Sequence, residues 1–447
     1  MEENLFKDLE WRGLVSYTSG NVAELLKNPT TFYCGVDPTS IAKENLNKKF
    51  PEITSSLHIG HLLAMVTCRR LQLWGHKPIV LVGGFTGLVG DGSFRTEDRK
   101  LLSFDEVKNN TACIAKQVQY LVDFTTENEN KGILVNNYDW WKDVSLLEFV
   151  RGIGKMVSLN YMIAKDSIKS RLEREGCGIS LCEALYGPLQ GYDFVHLYKE
   201  YNCRLAIAGH DQIGNTTYAN VLVNKMLGSD HELNILTWPL VTRADGKKFG
   251  KSEGGKNIFL DRHLTSPYEF YQFWFNQSDE DAKRFIKLYT FIPRKEIEQL
   301  YEEHDKAPHN RILQKRLAKE LTIMVHSEED YNLVIEASKF LFENGDISTL
   351  KTFDASIIMA IFNGCPIYEV PKENILKGCK ILDFGVTESK AFNSKGELRK
   401  LIQSGGLSLN GEKLKSIDYI VTDKDIINDK FITLKQGKKK NILVVLN

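Results

Sequence analysis

A surplus of charge of either sign is missing: 58 Lys and Arg balance 58 Asp and Glu over 447 residues. No global field therefore draws this chain to a polyanion, and any nucleic-acid contact must be a local patch. Cysteine is sparse, eight residues with no CxxC pair and no His cluster at metal spacing, which argues against a zinc site and against an oxidised secreted framework. The thiols read as reduced, which points to the cytosol. Long hydrophobic runs are also lacking. The longest, Ile79 to Gly90, is broken by four glycines and falls well short of the roughly 20 residues a bilayer crossing needs. The start, MEENLFKDLEWRG, is acidic and has no apolar core, so no targeting signal and no membrane segment are expected. With 42% hydrophobic and 26% charged residues the chain has an ordinary folded composition, and its length allows about three domains.

From Thr31 to about Leu240, β-rich runs alternate with amphipathic stretches: TFYCGV, KPIVLVGG, ILVNN and RLAIAG, with helices after His58 and through Ala112 to Val122. This alternation predicts parallel βαβ units, with ligands at the carboxyl ends of the strands. From about Asp279 to Asn344 the spacing turns helical, and after Pro371 it becomes a small α plus β segment ending in two β-like runs around a basic turn, FITLKQGKKKNILVVL. Residues 40–56, polar and rich in Lys and Asn, read as a solvated surface loop, with an active-site lid as the alternative.

Two motifs carry chemistry. His58-Ile59-Gly60-His61 opens an apolar helix and puts two imidazoles on one face. Gly60 removes a side chain where a flat base could approach, and free N–H groups at the helix N-terminus favour phosphate. Alone, an HxxH more often marks two satisfied polar histidines. Lys248-Phe249-Gly250-Lys251-Ser252, about 190 residues downstream, places two lysines three apart on a Gly-rich loop, suited to neutralising a leaving pyrophosphate. Such a loop by itself is usually solvated; the pair together is specific.

Nine segments in order, FYCGVDPT, SLHIGH, LVGGFTGLVGD, VNNYDW, LNYMIAKDS, LYGPLQGYDF, CRLAIAGHDQIGN, PLVTRADGKKFGKSEGG and SPYEFYQFWFN, give the chain a resemblance to class I aminoacyl-tRNA synthetases, most closely those of the bacterial tyrosyl type. The resemblance implies an α/β fold with a Rossmann-like parallel-sheet catalytic domain, an α-helical domain and a small C-terminal α+β RNA-binding domain. The expected bounds are 1–240 for the catalytic domain, 241–278 for the lysine loop and linker, 279–370 for the helical anticodon-side domain and 371–447 for the RNA-binding domain. It further implies ATP-dependent activation of L-tyrosine and transfer to tRNA(Tyr), with no protein nucleophile. Mg²⁺ arrives with ATP, and neither a dedicated metal cage nor a tightly bound cofactor is expected.

Residue by residue, the resemblance assigns Tyr33 and Asp193 to the phenol hydroxyl, since a donor and an acceptor there would both be left unpaired by an analogue lacking the OH. Tyrosyl-tRNA synthetases are themselves the standard case, about 10⁵-fold against phenylalanine. Asp91, Tyr186 and Gln190, with Thr86 beside them, match the α-ammonium site. Gly35, Gly60, Gly209, Cys34, Asp37 and Asp211 match the adenosine side, with Asp211 accepting from a ribose hydroxyl. Thr39, His58, His61, Lys248 and Lys251 match the catalytic set that holds the phosphates, and Arg95 and Arg99 match basic pyrophosphate ligands or, equally, a solvated charged loop. Lys395, Arg399, Lys400 and Lys413, reinforced by Lys438, Lys439 and Lys440, match a phosphate-binding face of the terminal domain. The helix matching Leu147 to Met162 is expected at a homodimer interface, although a buried core helix would look the same.

The chain departs from the family pattern at Ala206, Ala208, His210 and Ile213, where Gln, Gly, Ser and Trp are usual, and at Gly92, Phe94 and Ala64. Ala206 cannot hydrogen-bond through its side chain. Neutral drift explains these changes; a divergent paralogue that adenylates a tyrosine analogue or charges a non-tRNA acceptor is the alternative.

Overall fold

Short β-branched runs bounded by Gly, Pro and Asn build the first sheet of the computed structural model. The model describes residues 4–39, 50, 52–91, 101–165, 168–169, 172, 179–244, 249, 257–343, 350–351, 353, 355–362, 365–437 and 440–447. The strands are β1 (Tyr17–Ser19), β2 (Thr31–Val36), β3 (Lys77–Val82), β4 (Ile133–Asn136), β5 (Leu205–Gly209) and β6 (Asn234–Trp238), in the order β1-β6-β5-β2-β3-β4. All neighbours are parallel except β1, which runs antiparallel to β6. The four strands legible in the sequence are present. The reading missed β1, a three-residue edge strand, and β6, whose NILTW run is too short to signal itself by periodicity.

Strand order reverses between β2 and β5, and at such a switch point the loops part to leave a crevice beyond the carboxyl ends. On one face, Tyr33, Ile79, Leu81, Ala206 and Ile235 pack against Leu189, Phe194, Leu197, Tyr218 and Leu222 of the helices Leu181–Tyr201 and Ile213–Leu227. Cys34, one residue along β2, turns to the other face, where its thiol meets Cys68 of the Ile59–Leu73 helix. Burying a Leu- or Phe-sized side chain is worth roughly 1.5–3 kcal/mol, so this alternation also sets which β2 residues can face a ligand.

The chain forms two compact units, residues 1–265 with 276–321, and residues 266–275 with 322–447. In the first, the helix Asp279–Tyr289 is clamped at its carboxyl end by two buried arginines. Arg12 donates to the carbonyls of Lys287, Thr290 and Ile292 at 3.0, 3.3 and 2.8 Å, and Arg70 donates to that of Thr290 at 2.7 Å. In the second unit, β7 (Ile367–Val370), β8 (Cys379–Lys380), β9 (Leu407–Leu409), β10 (Glu412–Lys413), β11 (Ile420–Val421), β12 (Phe431–Gln436) and β13 (Lys440–Leu446) form a sheet ordered β10-β9-β12-β13-β7 and a β11-β8 pair. The helix Lys395–Gln403 buries Leu398 and Ile402 in the core of this unit. The two terminal β-like runs pair as an antiparallel hairpin, Phe431 opposite Val445.

Two expectations need correction. The single helix at Leu147 to Met162 is instead Leu146–Phe149, a π turn at Val150–Gly154, and a separate helix Leu159–Ile163 capped by Ser158. The helical stretch passes through Gly152 and Gly154 as the π turn and breaks at Val157 and Ser158, where the Ser158 side chain caps the next helix by accepting the Tyr161 N–H at 3.2 Å. The 40–56 segment is not solvated at its far end: Ile53, Ser55 and Ser56 are buried, and the Ser56 hydroxyl lies 3.3 Å from Gln117 Oε1 on the helix Phe104–Leu121. Residues 40–49 and 51 lie outside the described residues. Among the described residues, no helix is long and apolar enough to cross a membrane.

Candidate active site

At the switch point Tyr33 pairs in register with Ala206 across β2 and β5. Its ring runs along the strand, so that a Cβ on Gly35 would come within 2.5 Å of the phenol oxygen. Gly35 thus makes room for a neighbouring side chain of its own strand. Burial first, and then Asp193, raise the Tyr33 pKa well above the ordinary phenol value, while a hydrogen bond with Gln190 opposes them. The hydroxyl stays protonated and remains a donor.

A chain of buried hydrogen bonds runs from there across three strand ends. Tyr186 donates to Asp37 Oδ2 at 2.8 Å, and Thr86 donates to Asp37 Oδ1 at 2.7 Å. Asn137 spends both amide hydrogens, one on Thr86 Oγ1 and one on Asp193 Oδ2, each at 3.0 Å. Asn137 Oδ1 accepts the Phe85 N–H at 2.8 Å, which fixes the amide orientation. Asp193 Oδ1 accepts two indole N–H groups, from Trp140 at 2.9 Å and Trp141 at 2.6 Å. Burial pushes Asp193 up to about 7 against the pull of these three donors. Burial, then Asp37 and Asp91, likewise raise Tyr186. Gln190 Oε1 is buried and has no partner among the described residues.

A second cluster follows β5. Gln212 donates to Asp91 Oδ2 at 3.1 Å and to Asp211 Oδ2 at 3.3 Å, and accepts from Asn215 at 3.1 Å. One side-chain amide therefore joins the two carboxylates expected on opposite substrates. A Cβ on Gly209 would meet Asp211 Oδ1 at 2.5 Å. His210 points outward, its Nδ1 2.8 Å from Ser16 Oγ.

The histidine motif is built differently from expectation. Its first-turn N–H groups are not free: Gly60 donates to His58 Nδ1 at 3.0 Å, Ile59 to the Ile258 carbonyl at 3.0 Å and His61 to the His58 carbonyl at 2.8 Å. His61 Nδ1 in turn accepts the His58 N–H at 3.3 Å, so the two rings form a capping box. The correction has a simple cause, since a His side chain fills the acceptor position that Ser or Asp usually fills. With both Nδ1 atoms accepting, each neutral ring carries its proton on Nε2 and offers a donor there. Burial lowers His58 to about 4 and, with His58 as neighbour, holds His61 well below the ordinary imidazole range. The rings lie 4.0 Å apart, and the Gly60 position leaves no room for a Cβ beside His58, which would stand 2.7 Å away.

Lys248, Lys251, Arg95, Arg99, Lys438 and Lys439 lie outside the described residues. The chain on either side of the lysine motif is anchored: Ala244 N–H bonds Asp281 at 3.0 Å, Leu260 N–H bonds the Leu57 carbonyl at 2.8 Å, and His58 bridges Phe259. Phe249, within the motif, packs 4.5 Å from Phe285. Thr39 follows Asp37 at the β2 end, its N–H on the Asp37 carbonyl at 2.9 Å. Cys34 is buried toward Cys68, and Asp37, expected on the nucleotide side, has its carboxylate among the tyrosine-side residues. In the second unit Lys395 ion-pairs with Asp383, while Arg399, Lys400 and Lys413 are exposed.

The structure therefore gathers Asp37, Thr86, Tyr186 and Asp193 into one hydrogen-bonded network through Asn137, with Tyr33 beside it, and Asp91 with Asp211 into another. The reading gave no role to Asn137, Trp140, Trp141 or Gln212. Their signal was an Asn-Asn and a Trp-Trp just beyond a strand end, and a Gln just after Asp211.

The family described as tRNA synthetases class I (W and Y) matches over residues 52–343, and the tyrosine–tRNA ligase SYY-like C-terminal domain over 358–444. The chain belongs to the class I tyrosyl-tRNA synthetases. It is 46% identical over 444 residues to a tyrosine–tRNA ligase of Bacteroides thetaiotaomicron and 45% identical to one of Bacteroides fragilis, covering 99% of each chain in both comparisons. Among solved structures, a C-terminally truncated mitochondrial tyrosyl-tRNA synthetase of Aspergillus nidulans superposes with a TM-score of 0.64 at 26% identity, covering 76% of this chain and 95% of that one. Membership of this synthetase family accounts for the two-unit chain with a Rossmann-like sheet at its head.

Proposed function

We infer that the chain is a tyrosine–tRNA ligase, which activates L-tyrosine with ATP and transfers the tyrosyl group to tRNA(Tyr). The observation that carries the reading is a pair of unmet acceptors on one face of the Leu181–Tyr201 helix, three residues apart: the remaining lone pair of Asp193 Oδ2 and the orphaned Oε1 of Gln190. A phenol O–H answers the first and an ammonium the second, and a buried acceptor without its donor costs about 1–3 kcal/mol. Tyr33 meets the phenol oxygen from the other side. Asp91 and Tyr186 complete the ammonium site, with Thr86 holding Asp37 behind them.

ATP lies across the carboxyl ends of β2 and β5, with Gly35 and Gly60 near the adenosine and Asp211, positioned by Gln212, at the ribose. One oxygen of the tyrosine carboxylate bonds to the α-phosphorus as the bond from that phosphorus to the bridging oxygen breaks, and pyrophosphate leaves with the electron pair. The Nε2–H groups of His58 and His61 donate to the phosphates without carrying charge, and Thr39, Lys248, Lys251, Arg95 and Arg99 supply the remaining stabilisation. Mg²⁺ enters as the counter-ion of the ATP phosphates, part of the substrate. A terminal ribose hydroxyl of tRNA then takes the acyl group and AMP leaves.

The domain division of 1–240, 241–278, 279–370 and 371–447 assigns tRNA contact to the last two parts. Arg399, Lys400 and Lys413 are exposed for a phosphate backbone there, with Lys395 beside them. A homodimer in the cytosol completes the reading. Leu146 and Leu159, 79% and 69% exposed, and Leu181, 71% exposed, form apolar surface that a second copy would cover.

The test is tyrosine-dependent exchange of pyrophosphate into ATP, run across an amino-acid panel with phenylalanine and ring-substituted tyrosines. Preference for tyrosine by several orders of magnitude is expected. Equal rates for phenylalanine would reject the assignment.

A further inference from the structure

We propose that Arg70 is a positioning residue for the reaction: buried near the end of the helix that the histidine motif opens, it fixes the helix Asp279–Tyr289, which in turn seats Phe249 of the lysine motif. The inference rests on the catalytic reading of Lys248 and Lys251 above and adds what holds their segment in place against the two histidines.

Buried cations are normally paired with an acid. Arg70 stands in the last turn of the Ile59–Leu73 helix and is 3% exposed. Asp8, whose charge favours it, is bound to Arg12 at 2.8 Å instead. The partners Arg70 has are two carbonyls at the carboxyl end of the helix Asp279–Tyr289, Leu288 at 3.3 Å and Thr290 at 2.7 Å, with the Phe291 ring 5.3 Å away. Its Nε has no partner among the described residues. Burial first, and then Arg12, lower it to about 9, so it is still a cation at neutral pH. An apolar side chain of similar length would serve stability as well or better. Placement is what the guanidinium adds.

The helix it holds carries the anchors of the lysine motif. Phe285 and Tyr289, four residues apart and so on one face, are fully buried and meet the Phe249 ring at 4.5 and 5.9 Å. Near the amino end of the same helix, buried Asp281 accepts the Ala244 N–H at 3.0 Å and is paired with Arg284 at 3.0 Å, which also donates to the Thr242 carbonyl. Lys248 is the residue before Phe249 and Lys251 the second after it. Consecutive Cα atoms lie about 3.8 Å apart, so a shift of Phe249 carries both lysines with it. The chain leaving the motif is joined to the start of the histidine helix, where Ile59 donates to the Ile258 carbonyl at 3.0 Å. One side of the segment thus hangs on the helix Asp279–Tyr289 and the other on the histidine helix, all within one compact unit. Arg70 ties the two helices together.

The experiment uses the full chain and reads kcat and the KM values for tyrosine and ATP in the exchange assay, for Arg70→Met, Phe249→Ala and the double variant. Misplaced lysines matter as charge develops on the leaving pyrophosphate, so kcat and kcat/KM should fall together. A displacement of about 1 Å can cost about 10²-fold, and Arg70→Met should lose about tenfold or more. Both KM values should stay, and the urea midpoint should stay or rise. The double variant should be no slower than the slower single variant, because both substitutions release the same contact. Should Arg70→Met fail to fold, Arg70→Lys, which keeps the charge without the planar fork, takes its place in the cycle with a smaller loss of the same kind. An unchanged kcat, a KM that rises as far as kcat falls, a urea midpoint that drops in step with the rate, or losses that multiply in the double variant would overturn the proposal. A parent chain without tyrosine-dependent exchange would instead sink the function assigned above, whatever the variants do.

Discussion

Around Asp193 a carboxylate is kept out of water by three N–H donors and two stacked indoles, whereas around His58 two imidazoles stay uncharged and close the end of a helix on themselves. On the function proposed above, the first region would receive a phenol hydroxyl, which calls for a fixed, dry acceptor; a phenylalanine side chain would leave that acceptor bare. On the same reading the second region would face the phosphates of ATP. There a neutral donor of fixed tautomer avoids the desolvation cost of a buried cation. Both regions bury titratable groups, and they do so with opposite consequences for pH.

The largest effect should come from removing the acceptor. Asp193→Ala leaves the N–H groups of Asn137, Trp140 and Trp141 buried without a partner. Tyrosine activation should fall about 10³-fold or more, with the KM for ATP nearly unchanged. A loss of less than tenfold would mean that the hydroxyl is read elsewhere.

The comparison sharpens with stability measured against pH. Asp193 has its folded pKa raised to about 7, so the folded state holds a proton that the unfolded chain has lost from about pH 4 upward. Its contribution therefore falls as pH rises from about 4 to 7. His58 is lowered to about 4, so the unfolded chain takes up the proton first, and stability is lost as pH falls from about 6.5 to 4. Asp193→Asn should gain on the parent by up to about 4 kcal/mol between pH 4 and 7, and His58→Asn, which keeps an N-cap acceptor, should gain by up to about 3 kcal/mol in the opposite direction. Urea titrations at four pH values would measure both slopes, and slopes of the same sign would break the contrast.

Gly35→Ala should have the smallest effect. The added Cβ crowds the Tyr33 hydroxyl, a far end that can shift, at a cost of about 1–3 kcal/mol. The KM for tyrosine should rise while the histidine region and the KM for ATP stay unaffected, which steady-state kinetics with each substrate would report.

Much of this was legible beforehand. Strands β2 to β5 announced themselves through apolar runs closed by Gly, Asn or Asp, and Tyr33, Asp193, Asp91 and Tyr186 stood in segments that match the family in order. What the reading missed has a common physical form. Asn137, Trp140, Trp141 and Gln212 act by supporting other side chains, and residue type at a strand end does not say which neighbour will receive an N–H. The broken helix at residues 146–163 was hidden because the break at Val157 and Ser158 is only two residues long and interrupts an apolar pattern without erasing it. The far end of the 40–56 segment was misread because Ser56 is buried where its hydroxyl meets Gln117, on a helix that lies some fifty residues further along the chain.

Sequence by itself determined the alternation of strands and helices, the family, and the kinds of chemical group available, because these depend on local periodicity and on motifs a few residues long. Only the tertiary structure decided which hydrogen bonds those groups spend on one another. It turned Cys34 inward, tied Asp37 to Tyr186, spent the first-turn N–H groups of the histidine helix within the protein, and left Asp193 with one open position. The reason is that acceptors and donors are counted in space: whether a carboxylate can take a substrate's proton donor depends on how many donors from distant parts of the chain have reached it first.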